Sequence, residues 1–329
     1  MAKKKIIIIG GGAAGLMAAE RLCDDFDIAI YDKGKTTGRK FLVAGKGGFN
    51  LTNKAENEDL TQHYLPHDFL KKALLENGSS KMRSWLTGLG IPTFVGTSGR
   101  VFPEKGIKPI QVLKRIKDHL IKKGVGFFFH HEFIGFNENC KVIVNNEKEE
   151  FVLEADYFIF SLGGASWSVT GSDGKWTTAF EKIGIKIIPF QASNCGLNIE
   201  WSEHFKTHHA GKPLKNIKIE IDGFAVKGEA TITDYGLEGN AIYPIIWKIR
   251  DAFSRNKIPT ITIDFKPLNS KEELLKKIKN KVPKTKVFAQ NLNLNSTQVA
   301  LIKSFSKKNN FFEPSVFIDS VKHLSLIHI

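Results

Sequence analysis

The first residues of the chain alternate between fully apolar runs and one amphipathic stretch. Residues 6–9 are a continuous β-branched run, which is typical of a parallel strand buried on both faces. After a glycine-rich turn, Leu16, Ala19 and Leu22 recur at helical spacing, and residues 26–31 are again largely apolar. The pattern predicts one strand–helix–strand unit, and the crossover in such a unit is right-handed.

Helical spacing returns further along the chain. Residues 67–90 place apolar side chains at helical intervals, and residues 109–123 are strongly amphipathic, with Gly124 as a C-terminal stop. The segment around 157–162 predicts another buried strand that runs into glycines. Three short apolar runs predict a small antiparallel meander, over residues 127–133, 142–144 and 151–153.

The pattern changes after residue 188. Residues 189–265 alternate short strands with turns, which predicts a β-rich domain. Residues 270–323 have a helical, lysine-rich pattern, with helix N-caps predicted at Ser270 and Ser296. The chain therefore divides into an α/β part, a β-rich part and a helical part.

The last six residues, LSLIHI, do not continue the polar helical pattern before them. They match the translation of CTG TCT CTT ATA CAC ATC, a transposon end that is ligated onto fragments in some sequencing libraries. The alternative is a natural hydrophobic tail. We expect residues 324–329 to be an artefact at the end of a truncated gene, and we leave them out of the fold prediction.

The formal charge of +14 raises the question of a nucleic-acid or membrane-surface partner. Only seven of the 48 basic residues are Arg, and lysines occur along the whole chain. Specific nucleic-acid sites favour clustered Arg together with aromatic residues. We therefore interpret the charge as a solvated, lysine-rich surface, which disfavours a nucleic-acid partner.

Cysteine usage and hydropathy exclude several classes of protein. The cysteines are far apart and form no C-x-x-C pair, so neither a redox dithiol nor a zinc site is predicted; they are Cys23, Cys140 and Cys195. His204, His208 and His209 have no carboxylate or thiol at ligand spacing, so we predict surface or loop histidines and no metal. No apolar run approaches the roughly 18 residues of a membrane span, and no cleavable leader is visible, so we expect a cytoplasmic protein without a membrane anchor.

A glycine fingerprint lies between the first strand and the first helix. Gly10 makes the tight turn, Gly12 lets the backbone approach a pyrophosphate, and Gly15 allows close packing of helix on strand. The helix that begins at Ala13 and Ala14 directs N–H groups and a positive dipole at the phosphates. Asp32 ends the second strand, where it would accept hydrogen bonds from an adenosine ribose. Together these features predict dinucleotide binding, and the alternative is a glycine-rich packing turn.

The choice between FAD and NAD stays open on this unit alone. An Asp at position 32 is compatible with either dinucleotide. The basic Lys33 that follows it, and the position of the unit at the beginning of the chain, favour FAD.

A second glycine-rich loop, GRKFLVAGKGGFNLTN at residues 38–53, follows the second strand. It is not a P-loop, because its Gly-Lys pair is followed by Gly and not by Ser or Thr. Loops at the carboxyl ends of parallel strands form the binding edge of α/β sheets, and successive glycine N–H groups make anion-binding nests. The alternative is a flexible surface loop. The candidate cofactor-binding residues of this loop are Arg39, Lys40, Gly45, Lys46, Gly47, Gly48 and Asn50, with Thr52 as an additional hydrogen-bonding side chain.

Seven stretches occur in the order found in one bacterial family: IIIIGGGAAGLMAA, GRKFLVAGKGGFNLTN, SGRVFPEKGIKP, SLGGASWSVTGSDGKW, SNCGL, HHAGKPLKN and DYGLEGNAIY. The chain thus resembles bacterial NAD(P)/FAD-dependent oxidoreductases, flavoproteins of the two-dinucleotide-binding-domain superfamily. A sister group carries SGGGRCNLTN in the glycine loop. Lys46 and Phe49 differ from it, so the chain resembles the smaller subgroup with an AGKGGxNLT loop. The resemblance extends from residue 4 to about residue 323.

The resemblance implies an α/β fold in which a Rossmann-like FAD-binding domain is interrupted by a β-barrel-like insert and a helical segment. The implied bounds are 1–188 for the FAD-binding domain, 189–267 for the β-rich insert and 268–323 for the helical segment. It also implies that residues 38–53 wrap the FAD, with Arg39 and Lys40 near the pyrophosphate and ribitol. Gly163 and Gly164 resemble a turn that returns the chain to the cofactor. The family's final glycine-rich segment, which contains a GE…D…GGYN-like motif beside the flavin, is not among these residues, which implies an incomplete and inactive flavin site.

The implied activity is that of an FAD-dependent oxidoreductase, which transfers hydride through the flavin to or from a small-molecule substrate. No second G-x-G-x-x-G is present, so NADH or NADPH would bind transiently as the donor. No pair of groups at a recognisable spacing marks a catalytic acid or base. Two alternatives stay open, namely an FAD-dependent protein that modifies or binds RNA, and a flavin-binding protein without turnover.

Overall fold

The structure is a computed structural model that describes residues 2–43, 49–62, 64, 66–96, 99–306 and 311–327, with the side chains of Asn57 and Ile327 left out. The chain divides into two compact units, Met1–Phe190 and Gln191–Ile329. Each unit has its own hydrophobic core. None of the helices in the described ranges is long and apolar enough to cross a membrane.

The first unit contains, in chain order, β1 (Lys5–Ile9), α1 (Ala13–Leu22), β2 (Asp27–Asp32), α2 (Arg39–Val43), β3 (Thr52–Asn53), α3 (Asn57–Thr61), α4 (Lys71–Glu76), α5 (Ser79–Gly88), β4 (Thr93–Val95), β5 (Arg100–Pro103), α6 (Pro109–Lys122), β6 (Gly126–Phe129), β7 (Glu132–Phe136), β8 (Val142–Asn145), β9 (Glu150–Val152), β10 (Tyr157–Phe160) and α7 (Thr177–Lys182). A short 3-10 turn spans Ser168–Thr170.

A four-stranded parallel sheet forms the centre of this unit, in the order β10-β1-β2-β6. The continuous apolar run of β1 is buried, because β1 has a strand on either side and packed residues on both faces. Helices α1, α5 and α6 contribute to the core on one face of the sheet. The predicted βαβ unit and its buried strands are thus confirmed.

The predicted meander was wrong at its first strand. Residues 126–129 pair in parallel with β2, and Tyr31 stacks on Phe128 at 4.5 Å between ring centroids. His130 then takes a left-handed φ of 57°, which ends the strand, so a separate antiparallel sheet, β7-β8-β9, begins at Glu132. An uninterrupted aromatic run has no alternation to show that it spans two sheets. A third small sheet has the order β3-β5-β4.

The second unit contains β11 (Leu197–Asn198), α8 (Glu203–His209), β12 (Pro213–Ile221), β13 (Phe224–Ile232), β14 (Gly236–Glu238), α9 (Ile246–Ser254), β15 (Thr260–Asp264), α10 (Lys271–Ile278), α11 (Thr285–Asn291), α12 (Ser296–Phe305), α13 (Pro314–Lys322) and β16 (Leu324–Ile327). A 3-10 turn spans Tyr243–Ile245. The strands form one antiparallel sheet in the order β11-β14-β13-β12-β15-β16.

Two predicted helix starts have different outcomes. Ser270 caps α10 in a capping box: its Oγ accepts the Glu273 N–H at 3.2 Å, and the Ser270 N–H donates to Glu273 at 3.1 Å. The cap predicted at Ser296 was wrong by one residue. Asn295 caps α12, because a box with Gln298 requires the cap to lie three positions before it.

Residues 324–327, which the sequence prediction left out of the fold, form strand β16. They pair antiparallel with β15, and Leu324 and Leu326 are buried in the core of the second unit. Leaving them out of the fold was therefore wrong at these positions. Their origin in a sequencing adapter stays a prediction.

Candidate functional site

The carboxyl ends of the parallel strands bring three segments of the first unit together. The turn after β1, the segment after β2 and the segment after β10 all leave the same edge of the sheet. In open α/β sheets this edge is where ligands bind. The residues that meet there are contributed by parts of the chain more than a hundred positions apart.

Gly10 and Gly15 have no room for a side chain. The φ of Gly10 is +105°, and a Cβ on it would lie 2.4 Å from the carbonyl oxygen of Ser161. A Cβ on Gly15 would lie 2.0 Å from the carbonyl oxygen of Gly10. The backbone of the turn therefore packs directly on the start of α1 and on the end of β10, as the fingerprint requires.

Gly12 differs from both, because a Cβ on it would meet no described atom within 4 Å. It is the N-cap residue of α1, and no acidic side chain occupies the first turn. The N–H groups at the start of an α-helix, here those of Gly12, Ala13 and Ala14, have no acceptor within the helix. These N–H groups, the positive end of the helix dipole and the open space around the Gly12 Cβ position make the N-terminus of α1 a candidate anion-binding position.

Asp32 is held rigidly at the end of β2. Its Oδ2 accepts the Gly11 N–H at 2.6 Å, and its Oδ1 accepts the Gly34 N–H at 2.7 Å. A carboxylate has about four lone-pair positions, so both oxygens retain capacity for further donors. The carboxylate thus fastens the glycine turn to β2 and is positioned to accept hydroxyl groups as well.

The segment after β2 contains Thr37, which the sequence analysis missed, and Gly38, the first residue of the predicted cofactor-binding loop. The N–H of Gly38 donates to the Gly11 carbonyl at 2.9 Å, and the φ of Gly38 is +65°. Thr37 is fully buried with its methyl group directed at Gly11, and its Oγ1 has no partner among the described residues. The GxGxxG fingerprint does not include these positions. In the sequence, the glycine after Thr37 was the one feature that could have indicated a tight turn here.

Lys40 joins this segment to the one that follows β10. Its Nζ donates to the hydroxyl of Ser166 and, at 3.3 Å, to that of Ser172. The Ser172 hydroxyl donates in turn to the Gly164 carbonyl at 2.9 Å. The predicted candidates Lys40 and Gly164 are therefore brought together, although 124 positions separate them in the sequence.

Gly163 and Ser161 complete the segment after β10. Gly163 has a φ of +78°, and its carbonyl accepts the indole N–H of Trp176 at 3.1 Å. The hydroxyl of Ser161 donates to the Gly10 carbonyl at 2.6 Å, which connects the end of β10 to the glycine turn. Ser161 was not among the predicted site residues, although it directly precedes the predicted Leu-Gly-Gly turn.

Lys33 makes an ion pair at the same edge. Its Nζ lies 3.0 Å from Asp173 and 3.6 Å from Glu132. Burial by itself raises the pKa of Asp173, but hydrogen bonds from Lys33 and from the Lys175 N–H outweigh this, so the pKa is lowered from its ordinary value of 3.8. Lys33 thus connects β2 to the segment that carries Ser172.

Asp173→Asn is expected to lower the free energy of unfolding by at most about 1 kcal/mol at pH 7, because the Lys33 side chain is 38% exposed and solvent screens the pair. A lowered folded-state pKa adds stability that is complete above the ordinary value of 3.8 and is lost as the pH falls through the folded value. The difference between variant and parent should therefore shrink in urea unfolding as the pH falls below 3.8. Asp118→Asn, which breaks the exposed pair with Lys114, is the matched control. A difference that persists unchanged at pH 3 would contradict the ion pair.

The other predicted residues have the following positions. Arg39 begins α2 and is exposed, and Asn50 is exposed just before β3. Gly45, Lys46, Gly47 and Gly48 lie outside the described residues. The roles predicted for all of them stay predictions.

The prediction that the histidines of α8 lie at the surface was wrong for one of them. His204 and His208 are exposed, whereas His209 is buried with its Nδ1 3.1 Å from Thr297 Oγ1. Burial, followed by the nearby Lys212, His208 and His204, lowers the pKa of His209, so the neutral ring is favoured. Among the described residues, no three His, Cys, Asp or Glu side chains are grouped as a metal site would require.

The fold and this edge define a class. A parallel sheet, a glycine turn without room for side chains, an open helix N-terminus and an acidic residue at the end of β2 make a Rossmann-like dinucleotide-binding domain. The residues present fit a dinucleotide, because the space in front of Gly12 and the N–H donors beside it suit a pyrophosphate.

The comparison with family models identifies the family. The model of the HI0933-like protein Rossmann domain matches residues 4–299, so the chain belongs to this family of FAD-dependent oxidoreductases. The predicted fold class and the predicted FAD-dependent family are thereby confirmed, and the predicted subgroup stays a prediction.

Several known proteins are similar to the chain. The ribosomal RNA dihydrouridine synthase of Haemophilus influenzae is 28% identical over 291 residues, which cover 84% of this chain and 68% of that protein. The 3-dehydro-bile acid delta(4,6)-reductase of Clostridium scindens is 25% identical over 271 residues, covering 80% and 64%. The solved structure of a flavocytochrome c3 fumarate reductase in its open conformation has a TM-score of 0.48 and 12% identity, over 99% of this chain and 67% of that one. The chain thus spans about two thirds of the length of these proteins.

Proposed function

We propose that the protein is an FAD-dependent oxidoreductase that saturates a carbon–carbon double bond of its substrate, with NADH or NADPH as the source of the hydride and solvent as the source of the proton. The observation that carries the proposal is the open N-terminus of α1 at Gly12, enclosed by Gly10, Gly15 and Asp32 at the carboxyl edge of the parallel sheet. It provides phosphate and ribose ligands for a dinucleotide in one place.

The chain's residues bind and orient the cofactor in this proposal. The N–H groups of Gly12, Ala13 and Ala14 hold the pyrophosphate, and Asp32 accepts the adenosine ribose hydroxyls. Lys40, positioned by Ser166 and Ser172, adds positive charge on the side of the segment after β10. FAD, when bound, supplies the two-electron hydride chemistry that protein side chains lack.

The reaction class is proposed from the relatives. One relative is named as a dihydrouridine synthase and another as a delta(4,6)-reductase, and both names describe the addition of hydrogen across carbon–carbon double bonds. A chain that is similar to both relatives over most of its length is a candidate for the same class of reduction. The source of hydride is proposed to bind transiently, since the sequence holds one G-x-G-x-x-G.

The test is made on the protein expressed from its complete gene. We expect a yellow protein that contains FAD by mass spectrometry, and bleaching of the flavin spectrum under anaerobic NADH or NADPH. Reoxidation of the flavin by a conjugated enone, with the saturated product found by mass spectrometry, would support a small-molecule substrate. A protein that carries no flavin, or one whose flavin neither donor reduces, would contradict the proposal.

A second candidate substrate is uridine in RNA. Two relatives, from Haemophilus influenzae and Escherichia coli, are named as ribosomal RNA dihydrouridine synthases, and the formal charge of this chain is +14. Positive charge favours association with a polyanion. Incubation of the reduced protein with unmodified ribosomal RNA, followed by nucleoside mass spectrometry, distinguishes the two candidate substrates. Formation of dihydrouridine would support uridine in RNA. Reduction of an enone without formation of dihydrouridine would support the small-molecule substrate.

A further inference from the structure

The positive charge of the chain is concentrated in one segment. Residues 274–312 contain nine lysines and no Asp, Glu or Arg, which accounts for +9 of the formal charge of +14. The remaining 290 residues hold 39 basic and 34 acidic side chains, a net charge of +5. The lysines are therefore not spread evenly, contrary to the interpretation drawn from the composition.

Six of these lysines are exposed around the connection between α10 and α11. They occupy the last turn of α10, the loop and the first turn of α11, and are Lys276, Lys277, Lys279, Lys281, Lys284 and Lys286. Leu274, Ile278 and Phe288 of the same helices are buried in the core of the second unit. Because these apolar anchors fix the inner side, the six side chains extend into solvent; we call them the lysine surface.

Helix stability does not account for the lysine surface. Lys276 and Lys277 are in the last turn of α10, where the helix dipole favours cations. Lys284 is the N-cap residue of α11 and Lys286 lies in its first turn, where the dipole opposes positive charge. Two further requirements of a good N-terminus are also unmet, since α11 has neither a side-chain cap nor an acidic residue in its first turn.

Glu272 and Glu273 interact electrostatically with two lysines of the lysine surface, Lys276 and Lys277, but ion pairs within the described ranges do not neutralise the lysine surface. None of its six ammonium groups makes an ion pair with a described residue, whereas Lys271 on the first turn of α10 pairs with Asp319 at 2.6 Å. Burial and then the charge of Lys277 lower the pKa of Lys266, which lies next to the lysine surface and is not part of it. A cluster of lysines without ion pairs can bind an anionic partner.

We propose that the lysine surface docks the phosphate backbone of RNA. The proposal rests on the second candidate of the proposed function, RNA as substrate, and adds the site that would hold it. A membrane surface fits less well as the partner. Helices that lie in a bilayer present an apolar face to it, and the apolar faces of α10 and α11 are buried in the protein core. Phosphate contacts by lysine carry no sequence information, so the surface positions the RNA and does not select it.

The test compares two full-length variants that lose equal charge. One replaces the six lysines of the lysine surface by Gln. The control replaces six exposed lysines elsewhere by Gln, at Lys72, Lys105, Lys148, Lys182, Lys227 and Lys257. Binding to a fluorescent ribosomal RNA fragment is measured from about 50 to 200 mM salt, and circular dichroism checks that both variants are folded.

We expect the first variant to bind RNA on the order of 100-fold more weakly at low salt, and the slope of log K against log salt to fall by about three. The control should stay within about threefold of the parent, because its charges make no phosphate contacts. Equal losses in both variants, or binding to phosphatidylserine vesicles and not to RNA, would overturn the proposal.

The outcome is separable from that of the proposed function. RNA binding that depends on the lysine surface, with no dihydrouridine formed, would support the docking surface and contradict RNA as the substrate. Dihydrouridine formed equally well by the parent and by the lysine-surface variant would overturn the docking surface and leave the proposed reaction standing.

Discussion

Gly12→Ala is expected to fold as the parent chain does and to bind FAD about 100-fold more weakly. The added methyl group meets no described atom within 4 Å, and the Gly12 φ of −75° is open to alanine. The methyl group would instead extend into the open space at the N-terminus of α1, where we propose that the pyrophosphate binds. Overpacking of this kind costs roughly 2–3 kcal/mol, which corresponds to a loss of about 30- to 150-fold in affinity.

Isothermal titration of the apoprotein with FAD measures this effect, and urea unfolding measures the fold. The free energy of unfolding should change by no more than about 1 kcal/mol, the usual cost of alanine at an N-cap. Gly88→Ala, at the end of α5 and also without a described neighbour within 4 Å of its Cβ, should bind FAD as the parent does. An unchanged FAD affinity in Gly12→Ala would contradict the proposed phosphate position.

Gly15→Ala separates binding from folding. Its Cβ would lie 2.0 Å from the Gly10 carbonyl oxygen and 2.6 Å from the Ser161 hydroxyl, so the turn itself must shift. We expect destabilisation of about 3 kcal/mol or more together with loss of FAD, in contrast to Gly12→Ala.

Lys322→Met is expected to lower the free energy of unfolding of the second unit by about 3–5 kcal/mol. The Lys322 Nζ lies 2.7 Å from Asp264 Oδ2, and the two side chains are 11% and 5% exposed. The same ammonium donates to the carbonyls of Lys266 and Asn269. Its removal leaves the buried Asp264 carboxylate without its counter-charge, with the Lys266 N–H as its donor, and two carbonyl groups without the ammonium donor, which costs far more than the loss of a surface pair.

Urea unfolding of three variants tests this explanation. Lys271→Gln breaks the exposed pair with Asp319 and should cost less than about 1 kcal/mol. The double variant Asp264→Asn with Lys322→Met should recover about half of the loss, because it no longer buries an unpaired charge. A cost for Lys322→Met as small as that for Lys271→Gln would show that solvent reaches Asp264 and that the buried pair does not stabilise the unit.

Features that depend on local backbone geometry could be predicted from the sequence alone. The buried run of β1, the helical spacing of α1 and the glycine fingerprint predicted the dinucleotide unit, because a tight turn that packs on a helix tolerates no side chain. The capping box at Ser270 could also be predicted, because it involves only Ser270 and Glu273 of the same helix start. At Ser296 the cap was misplaced, since an Asn one position earlier satisfies the same rule.

Contacts between residues far apart in the sequence depend on the tertiary structure and could not be predicted from the sequence. Lys33 and Asp173 are 140 positions apart, Lys40 and Ser172 are 132 apart, and both pairs form because parallel strands end at one edge of the sheet. The aromatic run 127–129 joined the parallel sheet through pairing with β2 and the stacking of Phe128 on Tyr31, which its own pattern cannot reveal. Contacts of this kind depend on strand order and register, and these are set by burial across the whole unit and not by any single segment.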